Sequence, residues 1–334
     1  MTRLPDPTVW EGRSVLLTGH TGFKGAWMAL WLARLGAHVH GFAAPPPSSP
    51  SLYSVADVAS VLAGEEIGDV RSFADDGAYD VVIHMAAQAL VRRSLADPAE
   101  TWEINAGGTA RVLASGAARG AGALLVVTSD KCYRDVAGGR AMREDDALGG
   151  HDPYSASKAA QELVAASFRS SFGMPLATAR AGNVIGGGDW AADRLVPDAL
   201  RARDAGDVLR LRNPEAVRPW QHVLNPLSGY LLICEDLLAG VPGAASAWNL
   251  GPEPADEWPV SKVAEALGVP WERVEDPQAA LEAPVLRLDS SKAREGLGWA
   301  PVWGISRGLD ATVEWEAAAD PRGACEAQLA DFSG

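Results

Sequence analysis

The sequence predicts an α/β protein with a doubly wound parallel sheet, and three observations support this fold class. Short apolar runs rich in β-branched residues alternate with helical stretches in the first half of the chain, as in successive βαβ units. A glycine-rich turn at residues 18–25 separates the first apolar run from the first helical stretch. Beyond Gly186 the pattern changes to a loop-rich region with Trp, Pro and shorter helices. We therefore expect a Rossmann-like sheet with a smaller, interleaved C-terminal lobe that closes over the carboxyl edge of the sheet.

The expected elements alternate along the chain. Strands are predicted at residues 14–18, 38–42, 80–84, 124–129 and 176–180, where the apolar runs lie. Helices are predicted at about 24–35, 101–118 and 153–172. Right-handed crossovers would place these helices on both faces of the sheet. A strand-like segment at 248–250 is expected to return to the main sheet, so that the two lobes interleave.

The overall charge argues against nucleic acid as the main partner. The 334-residue chain has 43 acidic and 29 basic residues and a net charge of −14. Binding to phosphate backbones requires a basic face, which this balance does not favour. A small anionic ligand needs only a few arginines that converge locally, so this class of ligand remains open.

The chain is expected to be a cytoplasmic protein without membrane segments. Its longest apolar stretch near the N-terminus, residues 26–33, is far shorter than the ~20 residues that a membrane span needs. Residues 1–12 contain no apolar core typical of an export signal. The three cysteines are an odd number and lack metal-binding spacing, so we expect no disulfide framework and no metal site.

The glycine-rich turn predicts a dinucleotide site. Glycines at 19, 22 and 25, between a strand and a helix, bring the backbone close to a pyrophosphate at the helix N-terminus. An ordinary βα turn is the alternative interpretation. The predicted cofactor-binding residues are Gly19, Thr21, Gly22, Phe23, Lys24, Asp69, Ala86, Ala87 and Gln88. Residues 1–185 with about 219–252 would form this domain, and about 186–218 with 253–334 the substrate-binding lobe.

The residues alone leave the choice between NAD and NADP open. The acidic residue that usually binds a ribose 2′-OH is missing from the end of the second strand, residues 40–44. No arginine stands there to bind a 2′-phosphate either. Asp69 is a candidate partner for the adenine amino group, and a plain loop carboxylate is the alternative for it.

Five side chains in two clusters predict the chemistry. Ser129, Asp130 and Lys131 follow an apolar strand, while Tyr154 and Lys158 share one face of a helix through their i, i+4 spacing. An ammonium beside a phenol lowers the pKa of the phenol. A phenolate can take a proton from an alcohol while hydride leaves the same carbon. Because simple alcohol oxidation does not need Asp130 and Lys131, these two residues indicate a further chemical step.

Five motifs together resemble those of a known enzyme family. They lie at residues 18–25, 128–133, 154–158, 180–190 and 218–224. The chain resembles the CDP-D-glucose 4,6-dehydratases of the extended short-chain dehydrogenase/reductase superfamily, from about Trp10 to Trp315. The resemblance implies a tightly held NAD that is regenerated in each turnover. It also implies a nucleotide-diphosphate sugar as substrate, CDP-glucose or a relative, and a homodimer or homotetramer.

The resemblance also implies a role for each of the five residues. Tyr154 would remove the C4 hydroxyl proton, Lys158 would lower the pKa of the phenol and hold the nicotinamide ribose, and Ser129 would bond the C4 oxygen. Asp130 would protonate the leaving C6 hydroxyl. Lys131 stands where dTDP-glucose and GDP-mannose relatives carry the glutamate that removes H5. Whether Lys131 is that base or an electrostatic stabiliser is open at this stage.

Three residues are predicted to contact the substrate. Asn183, Arg194 and Arg218 are candidates for the diphosphate, because arginine offers bidentate geometry; surface ion pairs are the alternative.

Two other functions compete with this interpretation. One competing function is another dehydratase or a 4-epimerase acting on a nucleotide sugar. An epimerase would need Tyr154 and Lys158 only. The other is a non-catalytic NAD-binding module.

Overall fold

A computed structural model of the chain describes residues 2–134, 139–276 and 283–334. Its strands run in the order β1 Ser14–Thr18, β2 His38–Ala43, β3 Gly64–Ile67, β4 Val81–His84, β5 Ala123–Val127, β6 Leu176–Ala181, β7 Val184–Ile185, β8 Leu209–Leu211, β9 Val217–Pro219, β10 Gln221–His222, β11 Ala247–Leu250, β12 Glu257–Pro259 and β13 Trp271–Arg273. The α-helices are α1 Pro7–Trp10, α2 Phe23–Arg34, α3 Leu52–Val55, α4 Val91–Ala96, α5 Pro98–Trp102, α6 Gly108–Ala114, α7 Gly116–Arg119, α8 Pro153–Phe172, α9 Leu195–Ala205, α10 Leu224–Leu238, α11 Val260–Ala266, α12 Ser291–Leu297, α13 Ile305–Glu316 and α14 Pro321–Ser333.

A seven-stranded parallel sheet forms the centre of the molecule. Its strand order is β11-β6-β5-β4-β1-β2-β3, and every neighbouring pair is parallel. The order changes direction after β1, which produces the switch point where ligands of doubly wound sheets bind. The predicted fold class is therefore confirmed.

Helices cover both faces of the sheet. In β1 the side chains of Val15 and Leu17 join the core against α2 and α10, whereas Leu16 joins the core against α6 and α8. The inner strands are buried over their full length because both faces are covered. Such strands read as continuous apolar runs, which is why the sequence predicted them within one or two residues.

Two elements differ from the prediction. The helix expected at 101–118 is broken into α5, a π-helical turn at Glu103–Gly107, α6 and α7. Ser115 adopts an extended conformation and caps α7 by accepting a hydrogen bond from Ala118 N, which ends α6. Strand β3 was not predicted, because this edge strand is polar and largely exposed.

The chain returns to the main sheet after the first part of the smaller lobe. Strand β11 pairs with β6, with Asn249 opposite Arg180, as expected for the segment at 248–250. The smaller lobe has its own core around Trp220 from β9–β10 and Leu200 and Val263 from α9 and α11. Helix α14 packs back onto the first half of the chain, where Phe332 meets Trp31 edge-to-face at 5.6 Å between ring centroids. The exact domain boundaries remain a prediction.

None of the described helices combines the length and the apolar character that crossing a bilayer requires.

Candidate functional site

One cleft opens at the carboxyl ends of the sheet strands, between the sheet and the smaller lobe. Its volume is about 1030 Å³, at the upper end of the range for ligand pockets. All the residues predicted to bind cofactor or substrate or to act in catalysis line this cleft: Gly19, Thr21, Gly22, Phe23, Lys24, Asp69, Ala86, Ala87, Gln88, Ser129, Asp130, Lys131, Tyr154, Lys158, Asn183, Arg194 and Arg218.

The glycine-rich turn has the shape of a dinucleotide cradle. Gly19 has a φ of +82°, and a Cβ there would lie 2.7 Å from the backbone nitrogen of Ala86. A Cβ at Gly25 would lie 2.1 Å from the carbonyl oxygen of Gly19, so the turn and α2 pack with no room for side chains. At Gly22 a Cβ would meet only Gly19 O, at 3.4 Å. The residues therefore fit a pyrophosphate, which approaches from the open side at the start of α2.

Polar side chains hold this cradle in place. Thr18 accepts hydrogen bonds from the backbone N–H groups of Met85 and Ala86. The Thr21 hydroxyl donates to the Ala44 carbonyl at 2.8 Å. The Gln88 side chain donates to the Leu90 carbonyl, so its amide orders the loop after β4. These contacts fix the backbone that faces the cofactor site.

Lys24 places a partly buried amino group beside the cradle. Its ammonium donates to the Tyr230 hydroxyl at 2.8 Å. Burial, together with Lys158 and Arg194, lowers the pKa of Lys24 to about 7, while Asp130 acts in the opposite direction. An anion bound here would restore the charged state of the lysine.

Asp69 already has a partner. Its carboxylate accepts hydrogen bonds from Arg71 Nε at 2.9 Å and from Arg71 Nη2 at 2.5 Å. It also accepts from the backbone N–H of Arg71 and caps the turn Val70–Ser72. The structure therefore assigns Asp69 a loop-ordering role, and its contact with adenine remains a prediction.

The catalytic segment follows the end of β5. Ser129 accepts a hydrogen bond from the backbone N–H of Lys131 and begins the turn Asp130–Cys132. Its hydroxyl donates to Asp130 Oδ1 at 2.9 Å. Burial raises the pKa of Asp130, against the opposing effects of Lys131, the Ser129 hydrogen bond and Arg218. Asp130 consequently keeps its proton to higher pH than an exposed aspartate.

Helix α8 supplies the other two catalytic candidates. Asp152 caps its N-terminus by accepting a hydrogen bond from Ser155 N at 2.9 Å, which fixes the first turn. Tyr154 and Lys158 lie one turn apart and are both buried. The Lys158 ammonium donates to the Val127 carbonyl at 3.4 Å, and burial lowers its pKa to about 8.

The pKa of Tyr154 corrects one expectation. Burial raises it to about 12, while the hydrogen bond with Ser129 lowers it and Asp130 raises it further. Lys158 was expected to lower the pKa of the phenol, but in the folded chain burial disfavours the phenolate more than the neighbouring groups favour it.

Arginines line the substrate side of the cleft, and most of them pair with carboxylates. Arg194 pairs with Asp189 at 2.8 Å, and the buried Arg218 donates to the Val217 carbonyl at 2.9 Å. Asn183 lies at the same rim, where its backbone oxygen accepts from Gln221 N. The sequence interpretation missed seven further arginines that line the cleft, Arg71, Arg92, Arg93, Arg140, Arg210, Arg212 and Arg287. Two of them lie at or just beyond β8, and the alternation of leucine and arginine at residues 209–212 is the signal that marks them.

The cleft thus combines a dinucleotide cradle, a phenol, a buried carboxyl group with a raised pKa and several arginines and lysines. A comparison with known proteins identifies the family of the chain. Residues 15–251 match the model of the NAD dependent epimerase/dehydratase family. The chain belongs to this family. Its description confirms the predicted cofactor, NAD.

Individual members of the family and solved structures are also similar to the chain. The chain is 41% identical to the CDP-glucose 4,6-dehydratase of Salmonella typhimurium, over 94% of this chain and 93% of the relative. It is 30% identical to a dTDP-glucose 4,6-dehydratase of Streptomyces antibioticus, over 71% of this chain and 70% of the relative. Among solved structures, DesIV, a dTDP-glucose 4,6-dehydratase from Streptomyces venezuelae with NAD and TYD bound, is similar at a TM-score of 0.76 and 25% identity. That similarity covers 90% of this chain and 96% of DesIV. The resemblance drawn from the five motifs is therefore confirmed.

Proposed function

We propose that this family member is a hydro-lyase that converts CDP-D-glucose to CDP-4-dehydro-6-deoxy-D-glucose. The observation that carries the proposal is the meeting of Ser129, Asp130 and Lys131 with Tyr154 and Lys158 in one cleft. The 41% identity to the Salmonella CDP-glucose 4,6-dehydratase over most of both chains favours CDP-glucose among the nucleotide sugars. The reaction oxidises C4, removes water across C5 and C6, and reduces C6.

Tyr154 and Ser129 would act on the C4 hydroxyl. The phenol, deprotonated, takes the hydroxyl proton, and the Ser129 hydroxyl bonds the same oxygen. When bound, NAD accepts a hydride from C4 and returns it to C6. Lys158 lies one turn along α8, where its ammonium favours the phenolate once substrate and cofactor fill the cleft.

Asp130 is the acid of the elimination. The C4 ketone makes H5 acidic; H5 leaves as a proton, and the C6 hydroxyl leaves as water after Asp130 protonates it. Burial raises the pKa of Asp130, which favours the protonated form that this step needs. The base must be a different group, and Lys131 stands at the position where the dTDP-glucose and GDP-mannose relatives carry the glutamate that removes H5. We therefore assign H5 abstraction to Lys131.

Arginines on the substrate side of the cleft would hold the substrate diphosphate. Arg218 is buried and its charge acts on Asp130. It therefore lies between the proposed diphosphate site and the proposed position of the reacting sugar. Arg194 and Asn183 face the same space. Arginine matches phosphate oxygens with paired N–H donors, which suits this task.

The alternatives fit the cleft less well. A 4-epimerase oxidises C4 and then reduces it again without loss of water, so a buried acid beside Ser129 would have no task. A dTDP-sugar dehydratase would carry out the same sequence of steps, and it differs from this proposal in the nucleotide and in the glutamate expected at the position of Lys131. A non-catalytic NAD-binding module has no use for the Tyr154 and Lys158 pair.

A labelled substrate tests the reaction. CDP-glucose carrying deuterium at C4 is incubated with the protein in ordinary water without added reductant. We expect the product to lose one water, to carry the deuterium at C6 and to gain a solvent hydrogen at C5. Product in which deuterium is lost to solvent, or an epimer without loss of water, would contradict the proposal.

A second copy of the chain is the proposed protein partner, in the cytoplasm. Helices α5 and α8 pack together and expose large apolar side chains, with Trp102 at 41%, Leu163 at 61% and Phe172 at 69% exposure. Pairing of these helices in a dimer would cover them. We expect Leu163→Glu to shift the molar mass measured by light scattering from dimer to monomer. The three cysteines are buried and free, as suits a reducing compartment.

A further inference from the structure

A buried ion pair lies behind the catalytic segment. Arg180 in β6 donates from Nη2 to Glu162 Oε2 in α8 at 2.8 Å, and their side chains are 4% and 3% exposed. Neither residue is among the described residues that line the cleft. Two buried charges need further hydrogen bonds to offset their loss of water. The groups that supply these bonds lie at both ends of the catalytic segment.

One end of the segment is tied to the glutamate. Thr128, directly before Ser129, donates its hydroxyl hydrogen bond to Glu162 Oε1. Thr178 donates to Glu162 Oε2 at 2.7 Å. The carboxylate thus joins α8, β6 and the end of β5.

The other end of the segment is tied to the arginine. Tyr133, directly after the turn Asp130–Cys132, accepts a hydrogen bond from Arg180 Nη1 at 2.6 Å. Its own hydroxyl donates to Asn249 Oδ1 at 2.6 Å. Asn249 lies opposite Arg180 in the pairing of β11 with β6, so Tyr133 is held from two strands.

Glu162 also shares a helix face with the other catalytic cluster. It lies four residues after Lys158 and eight after Tyr154, so all three project from the same side of α8. We infer that Glu162 and Arg180, acting through Thr128 and Tyr133, are positioning residues that hold Asp130 and its neighbours against Tyr154 and Lys158 for the elimination. The inference rests on the proposed function for the reaction step it names.

Loss of a single hydroxyl tests this role without removing a buried charge. Glu162→Gln is the direct change, but an unpaired buried arginine can prevent folding. Tyr133→Phe and Thr128→Val instead keep the shape of the side chain and remove one hydroxyl each, together with its hydrogen bonds to the ion pair and to Asn249 or the Ala179 carbonyl. Tyr79→Phe and Thr312→Val are matched controls, because those hydroxyls bond Asp75 and the Gly308 carbonyl away from the cleft.

Amide hydrogen exchange on the NAD-loaded protein is the first readout. We expect Tyr133→Phe and Thr128→Val to speed exchange at residues 129–133 and to leave the rest of the protein unchanged. The controls should exchange like the wild type at these residues. Unchanged exchange at 129–133, or exchange raised equally throughout the protein, overturns the inference. This readout does not depend on the identity of the substrate.

Turnover of CDP-glucose is the second readout. We expect kcat to fall by up to about 100-fold at an unchanged KM, because misplaced groups lose catalytic power without losing substrate. Bound NADH should accumulate, since C4 oxidation continues while elimination slows. A wild-type kcat in both variants overturns the inference. Failure of the wild-type protein itself to dehydrate CDP-glucose refutes the proposed function instead, and the exchange comparison then decides the inference alone.

Discussion

The Ser129 hydroxyl donates a hydrogen bond to Asp130 Oδ1 at 2.9 Å and leaves Oδ2 buried with no partner among the described residues. Space beside that oxygen depends on Gly182, where a Cβ would lie 3.2 Å from Oδ2 and 2.4 Å from the Pro219 ring. A serine that also contacts Tyr154 therefore orients the acid of the elimination. The Ser129 hydroxyl therefore contacts both Tyr154, proposed for C4 oxidation, and Asp130, proposed as the acid of the elimination.

Replacement of the acid should stop the reaction after oxidation. We expect Asp130→Asn to lower kcat by roughly 10²- to 10⁴-fold, the contribution of a positioned proton donor. C4 oxidation should persist, because Tyr154 remains, so stopped-flow absorbance should show bound NADH accumulating. Asp310→Asn, on the exposed side of α13, is the control and should turn over like the wild type. Full activity of Asp130→Asn would exclude this carboxyl group as the acid.

The assignment of H5 abstraction to Lys131 predicts a difference between charge and basicity. Lys131→Arg keeps a positive charge but cannot act as a base. We expect this variant to form bound NADH and to lose exchange of H5 with deuterated water, measured by NMR of the recovered substrate and product. Exchange at the wild-type rate in Lys131→Arg would instead make Lys131 an electrostatic stabiliser.

The lowered pKa of Lys24 predicts a pH-dependent stability of the cofactor-free protein. Its pKa is about 7 in the folded chain against 10.5 for an ordinary lysine. Between these values the unfolded state binds more protons, so this contribution to stability rises with pH, and below about 7 it is lost. The slope is about 1.4 kcal/mol per pH unit for one proton.

Lys24→Met isolates this effect. We expect the free energy of unfolding of the wild type, minus that of Lys24→Met, to increase as pH rises from about 7 to 9 in urea titrations. A difference that stays flat over this interval would mean that Lys24 keeps its proton in the folded protein. NAD should reduce the slope, because its diphosphate favours the charged lysine.

The glycine turn predicts that two of its glycines serve different purposes, one for stability and the other for NAD binding. Gly25→Ala forces a methyl group against the Gly19 carbonyl, at 2.1 Å, so the cofactor-free protein should lose roughly 1–3 kcal/mol of stability. Gly22→Ala has ordinary contact inside the protein, at 3.4 Å, but faces the cleft. We therefore expect Gly22→Ala to keep its thermal stability and to bind NAD more weakly, measured by calorimetry. Equal stability of both variants would refute this description of the turn.

The sheet and the cleft were accessible from the sequence for physical reasons. Inner parallel strands are buried on both faces, so their apolar runs stand out, and β1 and α8 match their predicted bounds. Motif residues that follow those strands must meet at the carboxyl edge, because all the strands are parallel. Strand β3 lacks the apolar signal, and the π-helical turn at Glu103–Gly107 follows from tertiary packing that no local pattern records.

The electrostatics of the site were harder to predict. Spacing showed that Tyr154 and Lys158 share a helix face, but the depth of burial decides the pKa of Tyr154, and burial is a property of the whole fold. The same is true of Arg180 and Glu162, which are 18 residues apart in sequence and pair through the contact of α8 with β6. Their hydrogen bonds to Thr128 and Tyr133 follow from three elements meeting.

A panel of nucleotide sugars tests the central claim most directly. The purified protein is incubated separately with CDP-glucose, dTDP-glucose, UDP-glucose and GDP-mannose, without added reductant, and each product is weighed by mass spectrometry. We predict loss of one water from CDP-glucose, at a kcat/KM well above that for the other three. Dehydration of none of them, or preference for a nucleotide other than CDP, would contradict the proposed function.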